Sequence, residues 1–450
     1  MSDSPLPAHK TTVSFATLGC KTNQFESATM QQTLVDAGYQ VVAFDSGAEL
    51  VIVNTCTVTN ATDAQSRNLI RRARKYNADC RVIVTGCYAQ IDPQALSGLP
   101  GVSMVIGNEE KQQLLDYLGA QGELEAGQEP QATASDIRVS DIRKAETVCL
   151  TPLTSFAGRS RAFVQIQNGC DAFCSYCIIP YARGASRSAQ PDEIIKQIQG
   201  LVDNGYPEVV LTGIHIGGYG ADLPTTTTLL ELIQRIEAQT SLQRLRLGSI
   251  EPTEISQQLI DAVAASSIIC PHFHIPLQAG DDEVLTRMGR NYDTVFFAEL
   301  IQRIRQACPD AAIVLDVITG FPGEDDAAFE NTYGLIESLP ITDLHVFPYS
   351  KRPGTPAATM PAQVSGDVSK SRAQRLRELA AQKHATFAEG FIGETLEVVV
   401  EHAPDGELLK GLSRNYLEVR FAGEEGLAGD CVKVLVARLD DGCMYSEIIA

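Results

Sequence analysis

The chain has 450 residues, enough for about two to four domains, and 44% of them are hydrophobic, which suits ordinary globular cores. A net charge of −20 argues against non-specific adhesion to nucleic acid or anionic membrane, though not against a local basic face. No run of about 18 apolar residues exists, and residues 1–10 lack the layout of a signal peptide, so a soluble cytoplasmic protein with no membrane partner is expected. In such a chain twelve cysteines point to metal or redox chemistry rather than to disulfides.

From the N-terminus, residues 12–18 read as a strand with Gly19-Cys20 in the turn after it, followed by an amphipathic helix at 23–37. A short strand at 41–44 precedes Leu50-Val51-Ile52-Val53, a continuous apolar run expected of a strand buried on both faces, with Asn54-Thr55-Cys56 just beyond it. A helix at 61–76, a strand at 81–84 followed by Thr85-Gly86-Cys87, a strand at 102–106 and a helix at 109–118 complete the series. Alternating strands and helices predict a doubly wound parallel sheet, in which ligands sit beyond the carboxyl ends of the strands. Cys20, Cys56 and Cys87 all follow strands, so three separate loops can converge at one sheet edge and ligate a cluster. Cys80 precedes its strand and is excluded. Residues 121–157 read as a linker with one strand around Val148-Cys149-Leu150.

Residues 161–168 form a strand that delivers Gly169-Cys170-Asp171-Ala172-Phe173-Cys174-Ser175-Tyr176-Cys177. Three thiolates at C-x3-C-x2-C spacing leave one iron of a four-iron cube open, as catalytic metal sites keep a free coordination position. A zinc knuckle or buried thiols are the bland alternative, but no fourth Cys or His follows Cys177 nearby. Helices at 191–204, 229–238, 254–264, 282–288, 295–307 and 325–339 alternate with strands at 208–212, 244–247, 273–276, 312–317 and 343–347. This repetition predicts a complete or partial β/α barrel with its site at the strand C-termini.

Gly213, Glu251, Gly320 and Glu324 stand at such positions. The glycines would let a ligand approach the backbone, and the carboxylates would meet a ribose or amino group or else cap helices. His272 and His274 share one strand face, lining the barrel or serving as ordinary polar strand residues. A basic helix at 368–384 precedes strands at 394–400, 416–421, 431–439 and 444–449, whose period-two alternation predicts a small antiparallel barrel.

Taken together, these features resemble the radical S-adenosylmethionine (SAM) methylthiotransferases over residues 11–450. Thr17-Leu18-Gly19-Cys20-Lys21-Thr22-Asn23-Gln24, Asn54-Thr55-Cys56 and Thr85-Gly86-Cys87 resemble that family's amino-terminal cluster motifs. Cys170 through Cys177-Ile178-Ile179-Pro180-Tyr181-Ala182-Arg183-Gly184 resembles its radical SAM motif. The resemblance implies a cluster domain at 11–120, a radical SAM domain at 158–385 and a TRAM-like RNA-binding barrel at 388–450. Ser249-Ile250-Glu251-Pro252 and His272-Phe273-His274-Ile275-Pro276-Leu277-Gln278 look most like the branch acting on N6-threonylcarbamoyladenosine (t6A) beside the tRNA anticodon. The isopentenyladenosine branch and the ribosomal-protein aspartate branch are the nearest alternatives, and a zinc-organised RNA-binding module is the non-enzymatic one. Asp316-Val317-Ile318-Thr319-Gly320 departs from the commoner Ile-Val-Gly pattern, which is expected to alter packing only.

The implied reaction replaces the adenine C2–H with S–CH3, with SAM and two [4Fe-4S] clusters as cofactors and no side-chain acid or base as catalyst. Cys20, Cys56 and Cys87 would hold the auxiliary cluster and Cys170, Cys174 and Cys177 the radical SAM cluster, with Gly213, Glu251, Gly320 and Glu324 as SAM contacts. The implied partners are a t6A-bearing tRNA and a reductant protein such as flavodoxin or ferredoxin. Arg183 is placed for a SAM carboxylate or an RNA phosphate, or as a surface arginine. Phosphate contacts are expected from Arg67, Arg71, Arg72, Arg74 and Lys75, and from Lys351, Arg352, Lys370, Arg372, Arg375 and Arg377. Residues 391–450, with twelve acidic and five basic side chains, are a poor phosphate surface by comparison.

Overall fold

A computed structural model describes residues 10–120, 136–148, 150–156, 158–401, 408–440 and 442–449. Two compact units result, the first comprising residues 1–153 with 178–185 and the second residues 154–177 with 186–450.

Six parallel strands form the sheet of the first unit: β1 (Thr12–Thr17), β2 (Gln40–Val41), β3 (Leu50–Thr55), β4 (Arg81–Gly86), β5 (Val102–Ile106) and β6 (Asp136–Arg138), in the order β2-β1-β3-β4-β5-β6. Helices cover both faces, so the central strands β3 and β4 are apolar on both sides. Met30, Leu34, Leu114 and Leu118 pack on Ile52, Ile83 and Met104, while Ile70, Ala73, Tyr88 and Leu96 pack on Val51, Val53, Val82 and Val84 on the other face. The winding reverses between β1 and β3, and a reversal of this kind leaves a crevice at the strand ends. Cys20 follows β1 and Cys56 follows β3.

Four details differ from expectation, the first being that the strand expected at 41–44 covers only Gln40–Val41. Asp136–Arg138, placed in the linker, is an edge strand: its polar residues hide it, but β5 offers an open hydrogen-bonding edge to receive it. Val148 and Leu150 carry no regular structure, and Cys149 lies outside the described residues. The short helices Cys87–Ile91 and Pro93–Ser97 were not foreseen, five residues being too few to show a period.

The second unit contains β7 (Arg161–Gln165), β8 (Gln167–Asn168), β9 (Arg187–Ser188), β10 (Glu208–Thr212), β11 (Arg244–Leu247), β12 (His272–Gln278), β13 (Ala312–Thr319) and β14 (Asp343–Pro348). Two parallel three-stranded sheets, β11-β10-β7 and β12-β13-β14, are joined by the bridges Leu245↔Ile269 and Ser249↔His274. The six strands make a partial barrel, and β8 pairs with β9 across the base of the cysteine loop.

The long helix Gly366–Glu389 then leads to a closed barrel of β15 (Thr395–Glu401), β16 (Leu409–Ser413), β17 (Glu418–Phe421), β18 (Cys431–Asp440) and β19 (Cys443–Ile448). All its pairings are antiparallel except β17 with β19. β16 was missed because Leu-Lys-Gly-Leu-Ser is too short and glycine-broken to show alternation.

Buried ionic contacts bolt this barrel to the β/α strands. Glu208 is enclosed with Arg244 and Arg246, each 2.8 Å away. Their guanidinium groups donate to the carbonyls of Leu412, Ser413 and Arg414, and Tyr416 stacks on His272 at 4.5 Å. His272 is thus a packing residue, whereas His274, on the same strand face, is not covered in this way.

Candidate functional site

The first unit gathers Cys20, Cys56 and Cys87 at the strand ends. A Cβ on Gly19 would lie 2.8 Å from Cys56 Cβ, and one on Gly86 would lie 2.3 Å from the Thr55 carbonyl. Both glycines have φ of 95°, so the residue before Cys20 and the residue before Cys87 have to be glycine for backbone and space alike. Burial and the neighbouring Cys87 and Cys20 thiols push the Cys56 thiol up to about 12. Thiols crowded this closely resist ionising together unless a cation compensates them.

Part of that compensation is Arg183, read from sequence as a contact for SAM or RNA or as a surface side chain. The structure corrects this: Arg183 is fully buried within the first unit, with Nε 3.3 Å from Cys87 Sγ. Its other nitrogens donate to Glu26 at 2.7 Å and Asn23 at 2.5 Å. Glu26 also accepts from Lys111 at 2.6 Å, and Asn23 donates to the carbonyls of Leu18 and Thr55, tying the loops after β1 and β3 together. Although burial alone would raise the Glu26 pKa, the two cations hold it down to about 2. Asn54 Oδ1, buried and close to where a Gly86 Cβ would stand, has no hydrogen-bond partner among the described residues. Three converging thiols and a buried cation suit a cluster held by three cysteines. Cys80 sits instead in the apolar core beside Ala73 and Val82.

In the second unit the loop of Cys170, Cys174 and Cys177 is strapped down by backbone groups. Ser175 N donates to Met288 O at 2.9 Å, its hydroxyl donates to Arg287 O at 2.8 Å, and Ala357 N donates to Ser175 O at 2.8 Å. Arg290, which sequence reasoning missed, lies 3.3 Å from Cys174 Sγ and pairs with Glu251. Its only sequence signal is its place after Gly289, the left-handed cap of the helix Asp282–Met288. His215 stands between the Cys170 thiol and Glu254, 2.7 Å from the latter, and these partners push its pKa up to about 10 against the opposing effect of burial. Three thiols on one rigid loop, with donors aimed at two of them, also suit a cluster with an open iron.

The four expected SAM contacts fare differently. Glu251 faces Arg290 beside the cysteine loop. Gly213 allows its loop to lie on β8, where a Cβ would come within 2.9 Å of Gln167 O. Gly320 N donates to Glu324 at 2.8 Å, and Glu324, nearly enclosed, accepts from Arg372 at 2.7 Å. That carboxylate is occupied in holding its own loop. The second basic group is divided: Arg352 and Arg372 are buried and Arg375 is bound to Glu330 at 2.5 Å, whereas Lys351, Lys370 and Arg377 are exposed. Arg71, Arg72, Arg74 and Lys75, on the helix Asn60–Tyr76, remain exposed.

Residues 12–107 match the family described as "Uncharacterized protein family UPF0004", and residues 164–336 match the radical SAM superfamily. The chain is 42% identical to the threonylcarbamoyladenosine tRNA methylthiotransferase MtaB of Bacillus subtilis, covering 97% of this chain and 95% of the relative. It is 41% identical to the MtaB of Rickettsia prowazekii over 86% of this chain and 87% of that one. The tRNA-2-methylthio-N(6)-dimethylallyladenosine synthase of Moorella thermoacetica is 32% identical, over 97% of this chain and 98% of the relative. Among solved structures, the radical SAM methyltransferase TsrM of Kitasatospora setae shares the fold, with a TM-score of 0.56 at 17% identity over 78% of this chain and 77% of that one. Among the described residues no helix is long and apolar enough to cross a membrane. With motifs, fold and near full-length relatives in agreement, the chain belongs to the radical SAM tRNA methylthiotransferases, enzymes that work with SAM and [4Fe-4S] chemistry.

Proposed function

We propose that this enzyme converts t6A next to the tRNA anticodon to its 2-methylthio derivative, using two [4Fe-4S] clusters held by Cys20, Cys56 and Cys87 and by Cys170, Cys174 and Cys177. The observation that carries the two-cluster reading is the convergence of Cys20, Cys56 and Cys87 from three loops around the buried Arg183. A purely structural thiol group would not need a guanidinium brought into an apolar interior beside it. The t6A assignment draws on the relatives named for that nucleoside, which share the higher identities quoted above.

When bound, SAM and the clusters supply the radical, methyl and sulfur chemistry that replaces an unactivated C2–H with S–CH3. The chain's own groups hold and orient. Arg183 donates to a ligand thiolate and is itself fixed by Glu26 and Asn23. Arg290 couples Cys174 to Glu251, so that Glu251 and the cysteine loop are set by one guanidinium. A low-potential protein reductant and a cytoplasmic setting complete the reading.

The test is mass analysis of tRNA nucleosides from cells with and without the gene. Loss of methylthio-t6A supports the assignment. Unchanged methylthio-t6A, or loss of methylthio-isopentenyladenosine instead, overturns it.

A further inference from the structure

His274, Asp316 and His345 come from three neighbouring strands and meet on one sheet face. His274 Nε2 lies 2.8 Å and His345 Nδ1 3.1 Å from the same Asp316 oxygen, and the two rings stand edge to face at 5.0 Å. Asp316 and His345 are partners in register, and the next outward rung pairs Ile318 with Phe347. On β14 the alternation is strict: Leu344 and Val346 are buried, while His345 and Phe347, 45% exposed, face the other way. An ionisable array beside an open aromatic is not how a core strand is filled.

The strip also reaches the cysteine loop through the backbone. His274 O accepts from Ile250 N at 3.0 Å, and the next residue, Glu251, pairs with Arg290, which donates to Cys174 Sγ.

We propose that this strip seats the target nucleobase and reads a carboxylate on its N6 substituent, with Ile318 and Phe347 as the apolar plate and the His274–Asp316–His345 array as the anion receptor. The inference rests on the t6A reading and names the residues that would distinguish that base from its relatives. Bases stack on exposed aromatic rings. Asp316, held ionised by the two imidazoles against the effect of burial, draws a proton onto the nitrogen of each ring that faces it. An imidazole whose two nitrogens both carry protons bridges Asp316 on one side and an incoming carboxylate on the other. A dimethylallyl substituent would desolvate the same groups and return no hydrogen bond, which sites of this kind penalise heavily.

The three donor atoms lie within 4.8 Å of one another, so a divalent cation is the competing ligand. The aromatic rung beside them favours the base.

The experiment uses reconstituted full-length enzyme and anticodon stem-loops carrying t6A, its methyl ester, or dimethylallyladenosine. The acid should bind about tenfold or more tighter than the ester, the worth of one charge-assisted hydrogen bond. In His345→Phe and His274→Asn that ratio should fall to about threefold or less, with His345→Gln intermediate, and because it is a ratio it is insensitive to a partly unfolded preparation. Equal binding of acid and ester by the unaltered enzyme overturns the inference, as does full discrimination in both variants. So does a stoichiometric divalent metal, beyond cluster iron, that is lost in Asp316→Ala. Preferential binding and conversion of the dimethylallyladenosine stem-loop would instead bring down the t6A reading itself.

Discussion

Glu26 holds two buried cations at once, and its charge is what keeps Arg183 aimed at Cys87. Removing one member of such a group strands the others without compensation, at about 3–5 kcal/mol. Glu26→Ala should therefore lower the unfolding free energy measured in urea by that amount and also reduce iron retention. The sign of its pH dependence follows from a folded pKa of about 2 against an ordinary 4.5. The Glu26 contribution is complete above pH 4.5 and is lost as pH falls toward 2, and Glu208 behaves likewise. Acid titration of stability should show this window in the wild type and a shallower slope there in Glu26→Gln. None of this was legible at residue 183, because a single arginine after a motif reads the same whether it is exposed or enclosed. Its partners Asn23, Glu26 and Cys87 lie 160, 157 and 96 positions earlier in the chain.

At the level of elements, strand and cysteine positions were readable because continuous apolar runs such as Leu50-Val51-Ile52-Val53 have one stable home, inside a parallel sheet. The glycine before Cys20 and before Cys87 repeats one local device: a strand, a left-handed turn, a thiol at the edge. Gly86→Ala places a methyl group against the Thr55 carbonyl with no flexible side chain to yield. It should cost the auxiliary site most of its iron, about half of the total, while SAM cleavage at the other site persists; iron assay and deoxyadenosine formation measure the two. The bolt between Arg244, Arg246, Glu208 and the β16–β17 turn was not readable, since it depends on carbonyls brought from more than 160 positions away. Arg246→Ala should destabilise the second unit by about 3–5 kcal/mol and hasten proteolysis in residues 391–449.

Over the whole molecule, the charge of −20 and the enclosure of Arg352 and Arg372 leave few places for a polyanion. The exposed Arg71, Arg72, Arg74 and Lys75 are the candidates for phosphate contact, so replacing all four with Ala should weaken tRNA binding about equally for every sequence and lower the salt slope by about one unit per lost contact. An unchanged slope in binding titrations from low to moderate salt would move the RNA surface elsewhere.

The central claim is that three cysteines from three loops hold a second cluster, and iron stoichiometry tests it most directly. Anaerobically reconstituted wild type should carry about eight irons per chain and Cys20→Ala/Cys56→Ala/Cys87→Ala about four, with SAM cleavage retained. About four irons in the wild type, or about eight in the triple variant, would contradict it.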